Sequence, residues 1–302
     1  MPDSVTLRPG RMDDSYALFV IFEQTLADLI RRFGSTEATS LSNPEALAKM
    51  WDQRRPLFEH LAENAAQFWI AERGGQPIGF ARSIVEDGLQ QLTELFVLPE
   101  GQSSGLGREL IGRAFPVDGT RSRSIISTPD FRAQALYLKA GVYPRFLIYY
   151  FGRDPESVRV ETDLEIVPIR SSSENLATLA TIDRQVLDHS RDTTHRWLLS
   201  DRQGYLYLRD GQAVGYGYTG VTNGPFALLD DADFPTVLAH AENDAAAHGR
   251  EFGVEVPMVN QAAVQYLLSR HFWIDSFMTV LMSDRAFGNF ENYILTSPPF
   301  FL

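Results

Sequence analysis

The sequence contains no cysteine in its 302 residues. Disulfide bonds, thiolate metal ligands and a cysteine nucleophile are therefore excluded. It also contains no run of 18 apolar residues, so we expect no membrane-spanning segment. Residues Met1–Arg8 show no basic region followed by an apolar stretch, and a secretory signal is not predicted. We therefore expect a cytoplasmic chain that has no membrane partner and no metal site.

Positive charge is scarce, and its distribution along the chain is uneven. Residues 1–155 carry 17 Lys and Arg against 19 Asp and Glu, a net charge of −2, whereas residues 156–302 carry 10 against 20, a net charge of −10. Nucleic acid is an unfavourable partner for so acidic a second half. The nearly neutral first half is compatible with a ligand that carries several phosphates, and an acidic second half would attract a cationic substrate. An acidic surface that serves only solubility explains the same numbers.

The most informative feature that is present lies between Leu92 and Ile111. An apolar strand, a Pro-Gly break, a glycine-containing loop and a helix follow one another, with Gln102-x-x-Gly105-x-Gly107 at the strand-to-helix junction. Such a loop directs successive backbone N–H groups at one point, and the helix adds the positive end of its dipole. We therefore predict that this loop binds a diphosphate.

Two common phosphate-binding motifs do not fit this loop. A dinucleotide-binding fingerprint requires a third glycine three residues after Gly107, where the sequence has Leu110. A nucleoside-triphosphate loop requires Gly-Lys-Ser/Thr, and the loop has no lysine nearby. A glycine-rich turn that only caps an ordinary helix remains the alternative.

The loop resembles the pyrophosphate loop of the GNAT superfamily of N-acyltransferases, Arg/Gln-x-x-Gly-x-Gly/Ala. A second segment, Asp130–Val142, resembles the next motif of that family, a helix that packs beside the cofactor. Ala133, Tyr137 and Gly141 match the motif and share one helix face, while Asp130 replaces the family's Asn. Two motifs in the family's order make coincidence an unlikely explanation.

The resemblance implies a cofactor and a set of residues that contact it. Acetyl-CoA would be the cosubstrate, and Tyr137 would be the general acid that protonates its departing thiolate. Backbone groups of the strand would hold the pantetheine arm, and the loop would hold the diphosphate. The predicted cofactor-binding residues are Leu95, Phe96, Val97, Gln102, Ser103, Ser104, Gly105, Leu106, Gly107, Arg108 and Asp130.

Glu94 is the candidate general base, acting directly or through a water. By strand alternation it shares a face with Phe96 and Leu98, on an otherwise apolar strand beside the expected cleft. The family sometimes carries a glutamate base on the following strand, but Ser122–Ser127 has none. Glu23, Asp87 or a carboxylate from the second half of the chain remain alternatives.

The sequence pattern restarts after residue 163. Glu165–Arg170 parallels Val5–Arg8, Tyr205–Tyr218 parallels Phe68–Arg82, and Asn260–Phe272 parallels the motif helix. The chain therefore resembles a tandem-GNAT architecture: an α/β (α+β) protein of two GNAT folds, each with a mixed, mostly antiparallel sheet flanked by helices. We expect a catalytic domain over 1–155 and a degenerate GNAT-like domain over 163–302.

The second copy is predicted not to bind the cofactor. Asp230, Asp231 and Asp233 stand where the loop glycines are required, and carboxylates would repel a diphosphate. Leu267 replaces the motif tyrosine, and His271 replaces the motif glycine. For His271, a histidine that interacts with a helix end is a simpler interpretation than a catalytic base.

The sequence as a whole predicts an acetyl-CoA-dependent N-acetyltransferase that acts on a small amine by direct acyl transfer. The alternative is a non-catalytic GNAT-fold protein that binds acyl-CoA or another ligand for regulation. The identity of the amine and the oligomeric state do not follow from the sequence.

Overall fold

The computed structural model of the protein describes residues 4–33 and 43–302. The described residues fall into two compact units. The first comprises Met1–Val85, Leu89–Ile125 and Asp130–Val142, and the second comprises Glu86–Gly88, Ile126–Pro129 and Tyr143–Leu302. No helix in the described residues is long and apolar enough to cross a membrane.

The first unit alternates strands and helices in the following order. They are β1 (Val5–Pro9), α1 (Ser15–Arg32), α2 (Pro44–Glu63), β2 (Gln67–Arg73), β3 (Gln76–Glu86), β4 (Leu89–Val97), α3 (Leu106–Ala114), β5 (Ser122–Ser127) and α4 (Phe131–Lys139). The strands lie in the order β1-β2-β3-β4-β5. Strands β1 and β2 pair antiparallel, as do β2 and β3, whereas β4 and β5 run parallel.

Helix α2 contains Pro56 in its interior, a position where proline usually breaks or kinks a helix. The helix continues through Pro56 from Pro44 to Glu63, and Asn43 caps its start by accepting hydrogen bonds from two backbone N–H groups. Pro56 lies on the exposed side, while Leu57, Phe58 and Leu61 are buried. Burial of this apolar face outweighs the hydrogen bond that proline removes.

The second unit repeats the alternation of strands and helices. Its elements are β6 (Tyr143–Arg153), β7 (Glu165–Pro168), α5 (Ser173–Leu187), α6 (Asp192–Asp201), β8 (Gln203–Arg209), β9 (Gln212–Thr219), β10 (Phe226–Leu228), α7 (Phe234–Ala247), β11 (Phe252–Pro257), α8 (Gln261–Ser269), β12 (Trp273–Ser283) and β13 (Tyr293–Ile294). Phe234, Val237 and Leu238 of α7 pack on Val254 and Val256 of β11 in its main core.

The strands of the second unit form two runs, β12-β6-β11 and β13-β10-β9-β8-β7. Strand β6, which the sequence analysis places with the first copy, lies in the second unit and pairs antiparallel with both β11 and β12. The expected fold class is confirmed, since mostly antiparallel sheets are flanked by helices.

Candidate active site

The loop before α3 has the backbone conformation that its glycines predict. Gly105 is the N-cap of α3 with φ +93°, and Ser103 also has positive φ, +62°. A Cβ at Gly105 would meet no atom within 4 Å. Glycine is required here by conformation, because L-residues rarely adopt this φ, and the space beside it is open to a ligand.

Internal hydrogen bonds hold this loop and leave a row of N–H groups without acceptors. Gln102 Nε2 donates to the Val97 carbonyl at 2.8 Å, and Ser104 Oγ donates to the Gly101 carbonyl at 2.6 Å. Within the described residues, the backbone N–H groups from Ser103 to Gly107 have no acceptor. Three of these residues, Ser103, Ser104 and Gly105, are exposed, as is Arg108. The loop is therefore an open anion-binding site at a helix N-terminus.

The edge of β4 next to this loop is open toward β5. The two strands pair only from Leu89–Ser122 to Leu92–Ile125, although β4 continues to Val97. Leu98 N donates to Ile78 of β3 at 2.9 Å, so the backbone groups of Leu95 and Val97 point by alternation to the other edge. Of the three predicted strand residues, Leu95 and Val97 thus present backbone groups to the gap, whereas Phe96 faces β3.

Helix α4 lies against the start of α3. The side chain of Leu136 is 3.4 Å from the position of a Cβ at Gly107, so the small residue at 107 lets the two helices approach. Tyr137, one residue further on, is 6% exposed. Burial, and then the charge of Asp130, raises the pKa of Tyr137 above its usual value. The phenol therefore stays protonated, as a proton donor must.

Asp130 caps α4 and is neutralised by two arginines. Its carboxylate accepts the backbone N–H of Arg132 at 2.8 Å and pairs with Arg32 at 2.9 Å and with the Arg132 guanidinium at 3.2 Å. Partial burial opposes ionisation, but the hydrogen bonds from Arg132 and Arg32 outweigh it and lower the pKa. The substitution of Asp for the family's Asn therefore adds no net negative charge here. Arg32 is 98 residues away in sequence, so no local pattern indicated it.

Glu94 lies in the core under the first two helices. It is 2% exposed and forms a short ion pair with Arg82, which also donates to the Phe58 carbonyl of α2 at 2.9 Å. Burial raises the pKa of Glu94, and the charge of Arg82 opposes that rise. Glu94 Oε1 has no partner within the described residues. The apolar strand around Glu94 marked this carboxylate as a candidate, but no local pattern indicated its pairing with Arg82.

Glu23 on α1 is a second carboxylate in this unit with an altered environment. It is half-buried, and burial raises the pKa of Glu23 while Arg54 on α2 opposes the rise. Burial in turn lowers the pKa of Arg54. Asp87 belongs to the second unit, where it accepts hydrogen bonds from Ser190 at 3.0 and 3.1 Å.

The corresponding positions of the second unit are built differently. The N-cap of α7 is Asp233, whose carboxylate pairs with Arg209 at 2.7 Å, and Asp230 accepts the N–H of Ala232 at 3.0 Å. Leu267 is fully buried in the core, and His271 is an exposed residue with φ +63° after α8. Among the described residues, no group of three or more His, Asp or Glu side chains is arranged to hold a metal ion.

Residues 64–142 match the family described as the acetyltransferase (GNAT) domain. Residues 64–142 are therefore similar to a GNAT domain, and the resemblance found in the loop and in the α4 motif, which both lie in this part of the chain, is confirmed. No curated protein matches the chain by sequence.

Solved structures with this fold cover nearly the whole chain. A candidate acetyltransferase of Pyrococcus horikoshii has a TM-score of 0.67 at 15% identity, with 96% of this chain and 92% of that one covered. A GCN5-related N-acetyltransferase of Sphaerobacter thermophilus has a TM-score of 0.58 at 13% identity, covering 96% and 98%. A tandem GNAT protein of the clavulanic acid biosynthesis pathway has a TM-score of 0.56 at 14% identity, covering 93% and 98%. At these identities the likeness concerns the fold.

Proposed function

We propose that the chain is an acetyl-CoA-dependent N-acetyltransferase that acts on a small amine in the cytoplasm. The observation that carries this proposal is the row of N–H groups without acceptors from Ser103 to Gly107, at the start of a helix in the segment that matches a GNAT domain. A purely structural turn has no need of an open anion-binding loop. The same loop would serve a protein that binds acyl-CoA without catalysis, so activity must be measured directly.

The proposed cofactor site uses both parts of the β4–α3 junction. The diphosphate of acetyl-CoA accepts hydrogen bonds from the loop, and the pantetheine arm lies along the open edge of β4. The N–H and carbonyl of Leu95 and the N–H of Val97 are available there, because Gln102 already occupies the Val97 carbonyl. Arg108 and the cluster of Asp130, Arg32 and Arg132 supply positive charge that favours a phosphate-rich ligand.

The proposed reaction is direct attack of the amine on the thioester carbonyl. The C–N bond forms, the C–S bond breaks, the amine loses a proton, and the CoA thiolate gains one from Tyr137. A phenol whose pKa is raised by burial is a weak acid, but the thiolate gains basicity as the C–S bond breaks. For the base we propose Glu94, acting through a water at Oε1, which is the carboxylate oxygen that Arg82 leaves free. Glu23 is the alternative base.

We further propose that the chain is a tandem repeat whose second copy does not bind acyl-CoA. Asp233 occupies the helix N-cap where the first copy has Gly105, and its charge is committed to Arg209. Two unit charges 4 Å apart interact by about 1 kcal/mol even in water. A diphosphate at this position would meet Asp230 and Asp231 and would lack a row of free N–H groups.

The test combines turnover with a matched pair of loop variants. The wild-type chain should release free thiol from acetyl-CoA with at least one member of a panel of primary amines. Gly105→Asp should weaken acetyl-CoA binding at least about tenfold, because it places a carboxylate and a disfavoured backbone conformation at the proposed diphosphate site.

Gly119→Asp is the control for that experiment. Gly119 also has positive φ, +102°, and open space around its Cβ position, but it lies beyond the other end of α3. It should suffer the same backbone strain and keep wild-type affinity. Equal acetyl-CoA affinity in wild type and Gly105→Asp contradicts the proposed site, and binding without turnover of any amine favours the non-catalytic alternative.

A further inference from the structure

A short segment near the end of the second unit is completely buried between two strands. Tyr293 and Ile294 of β13 pair antiparallel with Ala227 and Phe226 of β10. On the other side, Leu295 N donates to the Glu255 carbonyl of β11 at 3.0 Å. Tyr293, Ile294 and Leu295 are all 0% exposed. We name Asn292–Thr296 the closing segment.

The closing segment lies where the first unit has its gap. In the first unit, α3 follows β4 and α4 follows β5; in the second, α7 follows β10 and α8 follows β11. The parallel pairing of β4 and β5 ends at Leu92–Ile125, which leaves an open strand edge. The corresponding strands β10 and β11 each bond instead to the closing segment.

Side chains on both sides fix the closing segment. Asn292 Nδ2 donates to the Leu228 carbonyl of β10 at 2.8 Å, and Asn260, the cap of α8, donates to the Tyr293 carbonyl at 3.2 Å. Arg202 donates to Thr296 Oγ1 at 2.9 Å. The segment is thus bonded to the residue that follows α6, to the end of β10 and to the start of α8.

The strongest anchor is a buried charged network. Arg191 donates to the Tyr293 hydroxyl at 2.8 Å and makes a bidentate pair with Asp183, with both distances 3.1 Å. His195 contacts the same carboxylate at 2.8 Å, and Tyr216 completes the network through short bonds to both Asp183 and Arg191. Burial opposes ionisation of Asp183, but the charge of Arg191 outweighs it and lowers the pKa. Displacing Tyr293 would leave a buried guanidinium short of one acceptor, which is costly.

We infer that the closing segment is a permanent internal occupant of the second cleft, making with its own backbone the strand-edge hydrogen bonds that pantetheine would otherwise make. The second copy is therefore closed to acyl-CoA by the chain itself, in addition to the carboxylates at its N-cap. This inference relies on the proposed function only for what the first cleft holds. The closing segment differs from a lid that opens, because it is fully buried and is held by polar side chains on both sides.

Hydrogen exchange of the wild-type chain, with and without excess acetyl-CoA, tests this inference. Amides of 293–295 should exchange at least about 100-fold more slowly than those around Val221, which is 83% exposed. Saturating acetyl-CoA should slow exchange in 103–108 and leave 293–295 unchanged. At an acetyl-CoA concentration close to the wild-type Kd, Gly105→Asp should show a much smaller response in 103–108 than the wild type, and again none in 293–295.

The outcomes separate this inference from the proposed function. Exchange at 293–295 as fast as at Val221, or faster exchange there when acetyl-CoA is added, overturns the closed cleft. Protection at 293–295 together with no response at 103–108 supports the closed cleft and contradicts the proposed cofactor site.

Discussion

At the scale of single residues, Tyr137 has the environment that a proton donor requires. Its hydroxyl is protonated because burial raises the pKa. Tyr137 lies on α4, whose neighbouring residue Leu136 approaches Gly107 at the start of α3. A protonated phenol in this position is compatible with proton donation to a ligand bound at the loop.

Tyr137→Phe should keep the packing of α4 and lower turnover. We expect a loss of about 100-fold in kcat with acetyl-CoA affinity unchanged, since the hydroxyl acts on the departing thiolate. Tyr143→Phe, at a tyrosine that is 55% exposed, is the matched control and should behave as wild type. If Tyr137→Phe retains turnover within a factor of two, Tyr137 is a packing residue.

The choice of base can be tested with two carboxylate variants. Glu94→Asp keeps a negative charge beside Arg82, but the shorter side chain moves the carboxylate oxygen away from the position of Oε1. We therefore expect kcat/KM to fall about 100-fold. Glu94→Gln is less informative, because leaving Arg82 unpaired costs about 3–5 kcal/mol of stability. Burial raises the pKa of Glu94. Because a general base must be ionised to accept a proton, kcat/KM should increase with pH, and this increase should continue to pH values above the usual carboxylate pKa.

Glu23→Gln is the companion of that experiment. If Glu94 is the base, Glu23→Gln should keep kcat/KM within about threefold, and thermal melting should confirm that both variants are folded. If kcat/KM falls strongly in Glu23→Gln and stays near the wild-type value in Glu94→Asp, Glu23 is the general base and Glu94 is not.

At the scale of elements, α2 shows how packing overrides a local signal. Pro56 lies inside the helix on its exposed side, where its ring removes one backbone hydrogen bond. Pro56→Ala should raise the unfolding free energy by about 1–3 kcal/mol, measured by denaturant titration. As a control, Glu63→Ala at an exposed position near the end of the same helix should change the unfolding free energy by less than about 0.5 kcal/mol. Destabilisation by Pro56→Ala would mean that the backbone at 56 is fitted to proline.

The sequence predicted those features that depend on local pattern. The glycine-containing loop at Gly105 and the helix after it follow from short-range chemistry. It could not predict the partners that the fold brings from a distance, such as Arg32 beside Asp130 or Arg82 beside Glu94. Nor could it predict β13, because two residues of strand have no periodicity and are specified by the edges of β10 and β11 on which they lie.

At the scale of the whole molecule, the two units differ at positions that correspond in the proposed repeat. The first has an open strand edge and a free N–H row beside it; the second has its own backbone along the corresponding edge and Asp233 at the helix N-cap. We therefore propose a single acyl-CoA site per chain, in the open cleft of the first unit.

Calorimetric titration of the full chain with acetyl-CoA determines whether only one cleft binds the cosubstrate. We expect one site per chain, which Gly105→Asp weakens at least about tenfold and Gly119→Asp leaves intact. Two equivalent sites, or a single site that Gly105→Asp leaves unchanged, would contradict this expectation.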